Sequence, residues 1–306
     1  MSIQKLYDFV QTEGLGEVLL EEPLSQHTTW RIGGPAEVFC QPKDWPACSQ
    51  ILAEARGLNI PVTFLGSGSN VLVADTGVKG LVLQTRNLNS MVWQEPEVWV
   101  ESGVALATLS LQAGGKGLRG LEFACGIPGS VGGAAIMNAG AYGSSMSKVV
   151  KEVRILDLSG ESRVYQNAEL GYAYRTSILK HKAEIVVEVK FLLEAGDAHE
   201  SKKQMEEYLA NRKKKHPLHL PNAGSVFRNP PGIPAGRLIE EAGLKGKRVG
   251  DAQVSEQHGN FIVNLNQAKA ADVLTLIEEV QQEVKKKKSI TLETEVVFLG
   301  IKDNRR

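Results

Sequence analysis

The 306 residues carry 35 Lys plus Arg against 35 Asp plus Glu, so no net charge argues for nucleic acid or an anionic membrane as a partner. With 42% hydrophobic residues and a length beyond that of a single core, two or three globular domains are expected. Cys40, Cys48 and Cys125 are odd in number and sit in no Cys-x-x-Cys pairing, and no signal peptide or membrane-length apolar run is visible. That pattern speaks against a disulfide framework, a zinc site and a membrane anchor, and the expected location is the cytoplasm.

In chain order, Leu6, Phe9 and Val10 predict an amphipathic helix over residues 1–22. His27-Thr-Thr-Trp-Arg-Ile-Gly-Gly34 then passes through a Gly-Gly-Pro turn into a strand ending at Cys40. Asp44 to Arg56 reads as a helix, with Pro46 in its first turn, Ile51, Leu52 and Ala55 on one face and Gly57 as its stop. Pro61 to Leu65 reads as a short buried strand, and a strand–helix–strand order favours a small parallel sheet. Next comes Gly66-Ser67-Gly68-Ser69-Asn70. A dinucleotide fingerprint needs a third glycine and a helix directly after, whereas Val71 to Asp75 is another strand. No Gly-Lys-Ser/Thr occurs, so there is no Walker loop, and what remains is a Gly/Ser turn whose N–H and hydroxyl groups suit a diphosphate.

Short β-rich runs fill Gly80 to Leu193, interrupted by a helix from about Val104 to Gly114. The stretch 121–143 is the densest in small residues, with Gly126, Gly129, Ser130, Gly132, Gly133, Asn138, Gly140 and Gly143 around a stiffening Pro128. It reads as an irregular loop, neither regular helix nor strand, whose bare backbone lies against a phosphate or a flat ring. Asp197 to Lys215 becomes a charged helix, and this change of character is the candidate domain boundary. A short helix over Arg237–Ala242, a long one from Ala268 to about Lys288 and a final strand over Ile290–Leu299 complete the reading.

Three further places pair rigid turns with reactive groups. Tyr174-Arg175-Thr-Ser177 presents the planar fork that grips a carboxylate, although a lone loop arginine usually lies on the surface. Asn222-Ala-Gly-Ser225 sets a hydroxyl after a small-residue turn, where the sequence by itself favours a serine that caps the turn. In the last strand Glu293 and Glu295 share one face, and periodicity cannot say which of them matters. Arg212 to Lys215 lies about ten residues before Ser225, close enough in sequence for one lysine to reach a substrate phosphate. The scattered histidines, His216 and His219 included, form no metal-ligand pattern.

Taken together, Thr28-Thr29-Trp30-Arg31-Ile-Gly-Gly34, Leu65 to Asn70, Gly126 to Gly133 with Asn138 to Tyr142, Tyr174 to Ser177, Asn222 to Pro230 and Leu292 to Val296 resemble, in order, the UDP-N-acetylenolpyruvoylglucosamine reductases (MurB). The resemblance implies an α+β flavoprotein with the FAD-binding fold of the vanillyl-alcohol-oxidase/PCMH type in two lobes, about 1–83 and 84–197. It implies a smaller α+β substrate-binding domain at 198–288 and a C-terminal strand, 289–306, returning to the FAD region. FAD held non-covalently would be reduced by NADPH and would then reduce UDP-N-acetylglucosamine enolpyruvate to UDP-N-acetylmuramate, a cytoplasmic step of peptidoglycan synthesis carried out by a monomer. By motif match, Arg175 would polarise the substrate carboxylate, Glu295 would orient or stabilise the same intermediate, and Ser225 would donate the proton. Gly66, Ser67, Gly68, Ser69 and Asn70, together with Gly126, Gly129, Ser130, Gly132, Gly133, Asn138 and Gly140, would hold the cofactor. Some relatives carry a lid loop with a tyrosine after the Tyr-Arg-Thr-Ser segment; here Ser177 is too close to the strand at Ile185 for such an insertion. That leaves Asn229 and the lysines ending at Lys215 as candidates for the substrate diphosphate. A flavin-dependent oxidase of the same fold is the alternative enzyme class.

Overall fold

The structure, a computed structural model, describes residues 2–301 and falls into two compact units. One comprises the chain up to Leu20, Glu37–Ser67 and Gly80–Asn211; the other comprises Glu21–Ala36, Gly68–Lys79 and the chain from Arg212 onward.

The first unit opens with helix α1, Ser2–Thr12, which buries Leu6 and Val10. The helix is half as long as predicted, and the strand Gly16–Pro23 follows it. Gly14 is the cause: at φ +57 it turns left-handed, its N–H donates to Gln11 O, and the Leu15 N–H reaches back to Val10 O. That pair of bonds is a Schellman stop, and only glycine adopts the conformation without a Cβ penalty. Helix α2, Trp45–Gly57, matches its prediction, with Asp44 Oδ1 accepting the Ala47 N–H at 2.8 Å. The four-stranded sheet around it has the order Gly16–Pro23, Pro35–Pro42, Val78–Gln84, Val62–Leu65, and the last two strands run parallel. The strand–helix–strand unit therefore skips one position in the sheet. Its second strand is half-buried at Val62–Phe64 and wholly buried only at Leu65, less enclosed than its apolar sequence suggests.

A five-stranded antiparallel sheet follows, in the order Ser162–Gln166, Val150–Asp157, Glu184–Leu192, Glu97–Glu101, Met91–Gln94. Alternate residues Val98, Val100, Val153, Val189 and Phe191 point into a core shared with helices α3, Leu106–Gly115, and α4, Val131–Met137. The predicted irregular loop thus contains two turns of helix. Gly132 is bare because α4 packs tightly on Ser102: a Cβ on Gly132 would sit 2.7 Å from Ser102 Cβ. Helix α5, Ala198–Lys215, is the predicted charged helix; it buries little beyond Ser201 and Met205, and Ser201 Oγ donates to the buried Glu122 at 2.8 Å.

The second unit is built around helices α6, Ala235–Glu241, and α7, Ala270–Lys288. Val273, Leu276, Ile277, Val280 and Val284 of α7 bury the face that their spacing predicts, in a core with Trp30, Val254 and Ile262. A three-stranded sheet, Arg248–Val249, Ala252–Val254 and Ile262–Asn264, is antiparallel throughout. Of the strand predicted over 290–299, only Val297–Leu299 is regular, pairing parallel with Val71–Val73. Residues before it leave that register to bond elsewhere, as described below. Among the described residues no helix is long and apolar enough to cross a membrane.

The start of α7 is capped from a distant segment: Asp75 Oδ1 accepts the Ala270 N–H at 2.8 Å and Oδ2 accepts the Ala271 N–H at 3.0 Å. These are N-terminal donors that the helix itself cannot satisfy, and the negative charge lies at the positive end of the helix dipole. Asp75→Ala is expected to lower stability by about 1–2 kcal/mol and Asp75→Asn by less, since the amide keeps one acceptor. Urea unfolding of the flavin-free protein measures both.

Candidate active site

Within the first unit, the two small-residue turns meet. Gly66 follows the strand Val62–Leu65, and its carbonyl accepts Gln84 Nε2 at 3.0 Å, with Gln84 itself fixed by the buried Gln41 at 2.6 Å. A Cβ on Gly66 would lie 2.6 Å from Ser130 Oγ, so glycine is required where the two turns touch. Ser67, next in the chain, is exposed. Ser130 is buried and N-caps α4, accepting the Gly133 N–H at 3.4 Å. The Val131 and Gly132 N–H groups are taken by Val104 O and Ser102 O, both at 2.9 Å. The visible contribution of Gly132 is therefore its bare Cα, which lets α4 dock on the Ser102 turn. Gly126 and Gly129 lie in a half-exposed run just before α4, with Gly129 at φ +131.

Asn138 closes α4 in the left-handed conformation, and both ends of its amide bind backbone: Nδ2 donates to Ala173 O at 2.9 Å and Oδ1 accepts the Ser147 N–H at 2.9 Å. Gly140 follows in a tight hairpin, where a Cβ would meet Ser144 O at 2.5 Å. The Asn138 bond to Ala173 ties this loop to the turn that carries Arg175. Ser177 Oγ adds a second tie, donating to Ile136 O at 2.7 Å. Arg175 is half-buried at φ +57, at the tip of a turn closed by the Ala173–Thr176 bridge, with its guanidinium 5.4 Å from the Tyr174 ring. Arg175 and the glycine-rich loop, widely separated in sequence, are thus neighbours by construction.

The second unit gathers the remaining predicted residues. Gly68 at φ +64 packs on the His27–Thr28 backbone, where a Cβ would sit 2.0 Å from His27 O, and Ser69 follows it in the turn. Thr29 joins two predicted segments: its N–H donates to Gly68 O at 3.1 Å and its Oγ1 to Asn222 O at 2.7 Å. Asn70 accepts the Val297 N–H at 3.0 Å and donates through Nδ2 to Glu295 O at 3.3 Å. The Glu295 N–H donates to Val226 O at 2.8 Å, the Arg228 N–H to Glu293 O at 2.9 Å, and Phe227 bridges Thr294. The segments bearing Ser225 and Glu295 are therefore antiparallel neighbours. Of the two glutamates that alternation could not separate, Glu293 is exposed and Glu295 half-buried.

Ser225 lines a cleft of about 240 Å³ with Asn229, Arg237, Glu240, Gln257, His258 and Asn260. Asn229 Oδ1 accepts the Ala235 N–H at 2.9 Å at the start of α6. Lys215 is exposed at the last turn of α5, whose Lys214 carbonyl receives Gln257 Nε2 at 2.9 Å. Burial, foremost, holds the His258 imidazole below its ordinary range, and burial together with nearby Arg212 holds His216 at about 4. Both rings are neutral at pH 7. His216, His258 and Phe261 pack ring against ring, with centroids 4.9–5.2 Å apart. Thr29, Gln257, His258 and Asn260 were not singled out from the sequence as site residues. Only Thr29 had a usable signal, its place in the Thr-Thr-Trp-Arg motif.

Residues 216–299 match the family described as UDP-N-acetylenolpyruvoylglucosamine reductase, C-terminal domain, and residues 36–164 match the FAD binding domain. A UDP-N-acetylenolpyruvoylglucosamine reductase of Heliobacterium modesticaldum is 47% identical, over 93% of this chain and 91% of that protein. One from Moorella thermoacetica is 44% identical over 98% and 99% of the two chains. The crystal structure of the Thermus caldophilus reductase (MurB) superposes with a TM-score of 0.79 at 38% identity, covering 93% of this chain and 98% of that one. With relatives this similar across nearly its full length, the chain belongs to the family of UDP-N-acetylenolpyruvoylglucosamine reductases.

Proposed function

We propose that this chain binds FAD and uses NADPH to reduce UDP-N-acetylglucosamine enolpyruvate to UDP-N-acetylmuramate, as a monomer in the cytoplasm. The observation that carries the reading is the pairing of the Ser225 and Glu295 segments, because it brings a hydroxyl and a carboxylate from distant parts of the chain onto adjacent backbones, with Ser225 lining a cleft.

The residues present fit FAD. The bare Cα of Gly66 meets the small hydroxyl of Ser130 where the two turns touch, and the half-exposed Gly126–Gly129 run precedes Ser130 in the same small-residue stretch. A flat ring system and a diphosphate need such a surface, and no Walker lysine is required. Bound FAD, once reduced by NADPH, would supply the hydride that the enolpyruvyl carbon accepts. Gly66, Ser67, Gly68, Ser69, Asn70, Gly126, Gly129, Ser130, Gly133 and Gly140 would hold it, while Gly132 and Asn138 shape the cradle through packing and backbone bonds.

Hydride addition to the enolpyruvyl double bond leaves negative charge on C2 and the carboxylate. Arg175 would bind that carboxylate through its planar fork, and Glu295 would orient the same group. Ser225 would place its hydroxyl against C2 and deliver the proton there. Serine is a weak acid, so this works only at contact distance from a strongly basic carbon. Asn229, in the cleft with Ser225, and Lys215, at the end of α5, would meet the diphosphate.

Two measurements check the reading. Gly132→Val forces a Cβ into Ser102; overpacking of about 1–3 kcal/mol converts to roughly 5- to 150-fold weaker flavin binding. The flavin-to-protein absorbance ratio should fall accordingly with unchanged far-ultraviolet circular dichroism; full flavination would show that the close approach is not needed. Ser225→Ala should leave NADPH bleaching of the flavin near the parent rate while slowing reoxidation by the enolpyruvyl substrate about 10²–10⁴-fold. Stopped-flow absorbance separates these two half-reactions, and equal slowing of both would make the serine a structural turn residue.

A further inference from the structure

We propose that Asn260 is a positioning residue for Ser225, holding the backbone of the serine's turn through its side-chain amide; this rests on the reading of Ser225 as the proton donor. Val226 and Phe227, the two residues after Ser225, are buried at 0% and 1% exposure. Their N–H and C=O groups must be paired, yet the stretch belongs to no sheet and makes only the single bridge to Thr294. Residues 293–295 bond it along one flank. On the other flank Asn260 alone supplies three bonds. Its carbonyl accepts the Val226 N–H at 2.9 Å, its Oδ1 accepts the Phe227 N–H at 2.9 Å, and its Nδ2 donates to Phe227 O at 2.8 Å.

The side-chain amide thus stands where a neighbouring strand's peptide unit would stand. Only asparagine does this at that reach. Aspartate lacks the donor when ionised, glutamine is one methylene too long, and an aliphatic residue offers neither group. Asn260 is itself immobile: it is 3% exposed, and its own N–H donates to His258 Nδ1 at 3.1 Å. The adjoining Gly259 is wedged on α6, where a Cβ would lie 2.6 Å from Gly236 O. Because Asn260 and Ser225 line the same cleft, slack in these bonds appears as misplacement of the hydroxyl. Proton delivery at contact distance tolerates little of it, and an ångström can cost about a hundredfold.

The test uses the full-length flavoprotein with Asn260→Leu and Asn260→Asp, followed by stopped-flow absorbance of both half-reactions across pH. In Asn260→Leu, flavin content and reduction by NADPH stay at parent values, while reoxidation by the enolpyruvyl substrate slows roughly 10- to 100-fold at every pH. In Asn260→Asp the protonated carboxyl still donates to Phe227 O and accepts from Phe227 N–H, and ionisation removes the donor. Reoxidation should therefore approach the parent rate at low pH and fall as pH rises, a profile that loss of packing alone does not produce. The other ionisable side chains lining the cleft are Arg237, Glu240 and His258, all retained in both variants. Adding Asn260→Leu to Ser225→Ala should cost nothing further, because the second change acts only through the hydroxyl that the first removes. Reoxidation within about twofold of the parent in both Asn260 variants, while Ser225→Ala alone remains slow, overturns the positioning role and leaves the serine's role standing. Parallel slowing of both half-reactions, or loss of flavin, makes Asn260 merely structural. A Ser225→Ala enzyme that reoxidises at the parent rate removes the reading of the serine and this proposal with it.

Discussion

The second unit is governed by the need to pair buried backbone groups in a segment that has no sheet. Val226 and Phe227 are fully buried, and each unpaired N–H or C=O there would cost about 1–3 kcal/mol. The chain answers with partners from three directions: residues 293–295, the side chain and carbonyl of Asn260, and the Thr29 hydroxyl on Asn222 at the start of the turn. Trp30, wholly buried, extends the same scheme by donating Nε1 to Ile262 O at 2.9 Å, and Asn264 Nδ2 returns a bond to Trp30 O at 3.1 Å. The Thr-Thr-Trp motif near the N-terminus thus buttresses the Ser225 turn.

In the first unit the governing constraint is steric. Gly66, Gly132 and Gly140 each lie where a Cβ would fall 2.5–2.7 Å from another atom, so the loops are packed through missing side chains. Close approach then does double work. It leaves bare backbone for a cofactor, and it lets Asn138 and Ser177 reach across to fix the turn bearing Arg175. Arg175 occupies a left-handed conformation, uncommon for a residue with a side chain. Such strain, of order 1–3 kcal/mol, persists only where surrounding bonds impose it, and the bridge from Ala173 to Thr176 with the two ties to α4 does so.

Local signals in the sequence were reliable where local physics decides. Asp44, Pro46 and Gly57 mark both ends of α2, and the spacing of Val273 to Val284 sets the buried face of α7. The stop at Glu13-Gly14-Leu15 was equally local and was overlooked because the apolar pattern continues past it into a strand. The strand over 290–299 failed for the opposite reason: its early residues alternate correctly but pair with the Ser225 turn, and no local signal encodes that choice. The glycine-rich stretch hid a helix because six glycines argue against one, while the docking surface at Ser102 that makes them necessary lies far upstream. Asn260 carried no signal at all. In His-Gly-Asn it reads as an ordinary turn residue, and its partner Phe227 is 33 positions away.

The cleft also shows why placement, and not acidity, would govern the proposed proton transfer. A serine hydroxyl is a weak acid, and the imidazole that shares its cleft, His258, is not arranged to assist it as an ion. His258 is kept neutral by burial, and its Nδ1 is occupied by the Asn260 N–H, which fixes the ring proton on Nε2. Protonating that ring would put a second hydrogen into the Asn260 bond and loosen the residue that grips Phe227. A neutral His258 and a doubly bonded Asn260 therefore support each other. On the proposed reading the site would act by holding one hydroxyl still, which suffices when the acceptor is a carbanion far more basic than the alkoxide left behind.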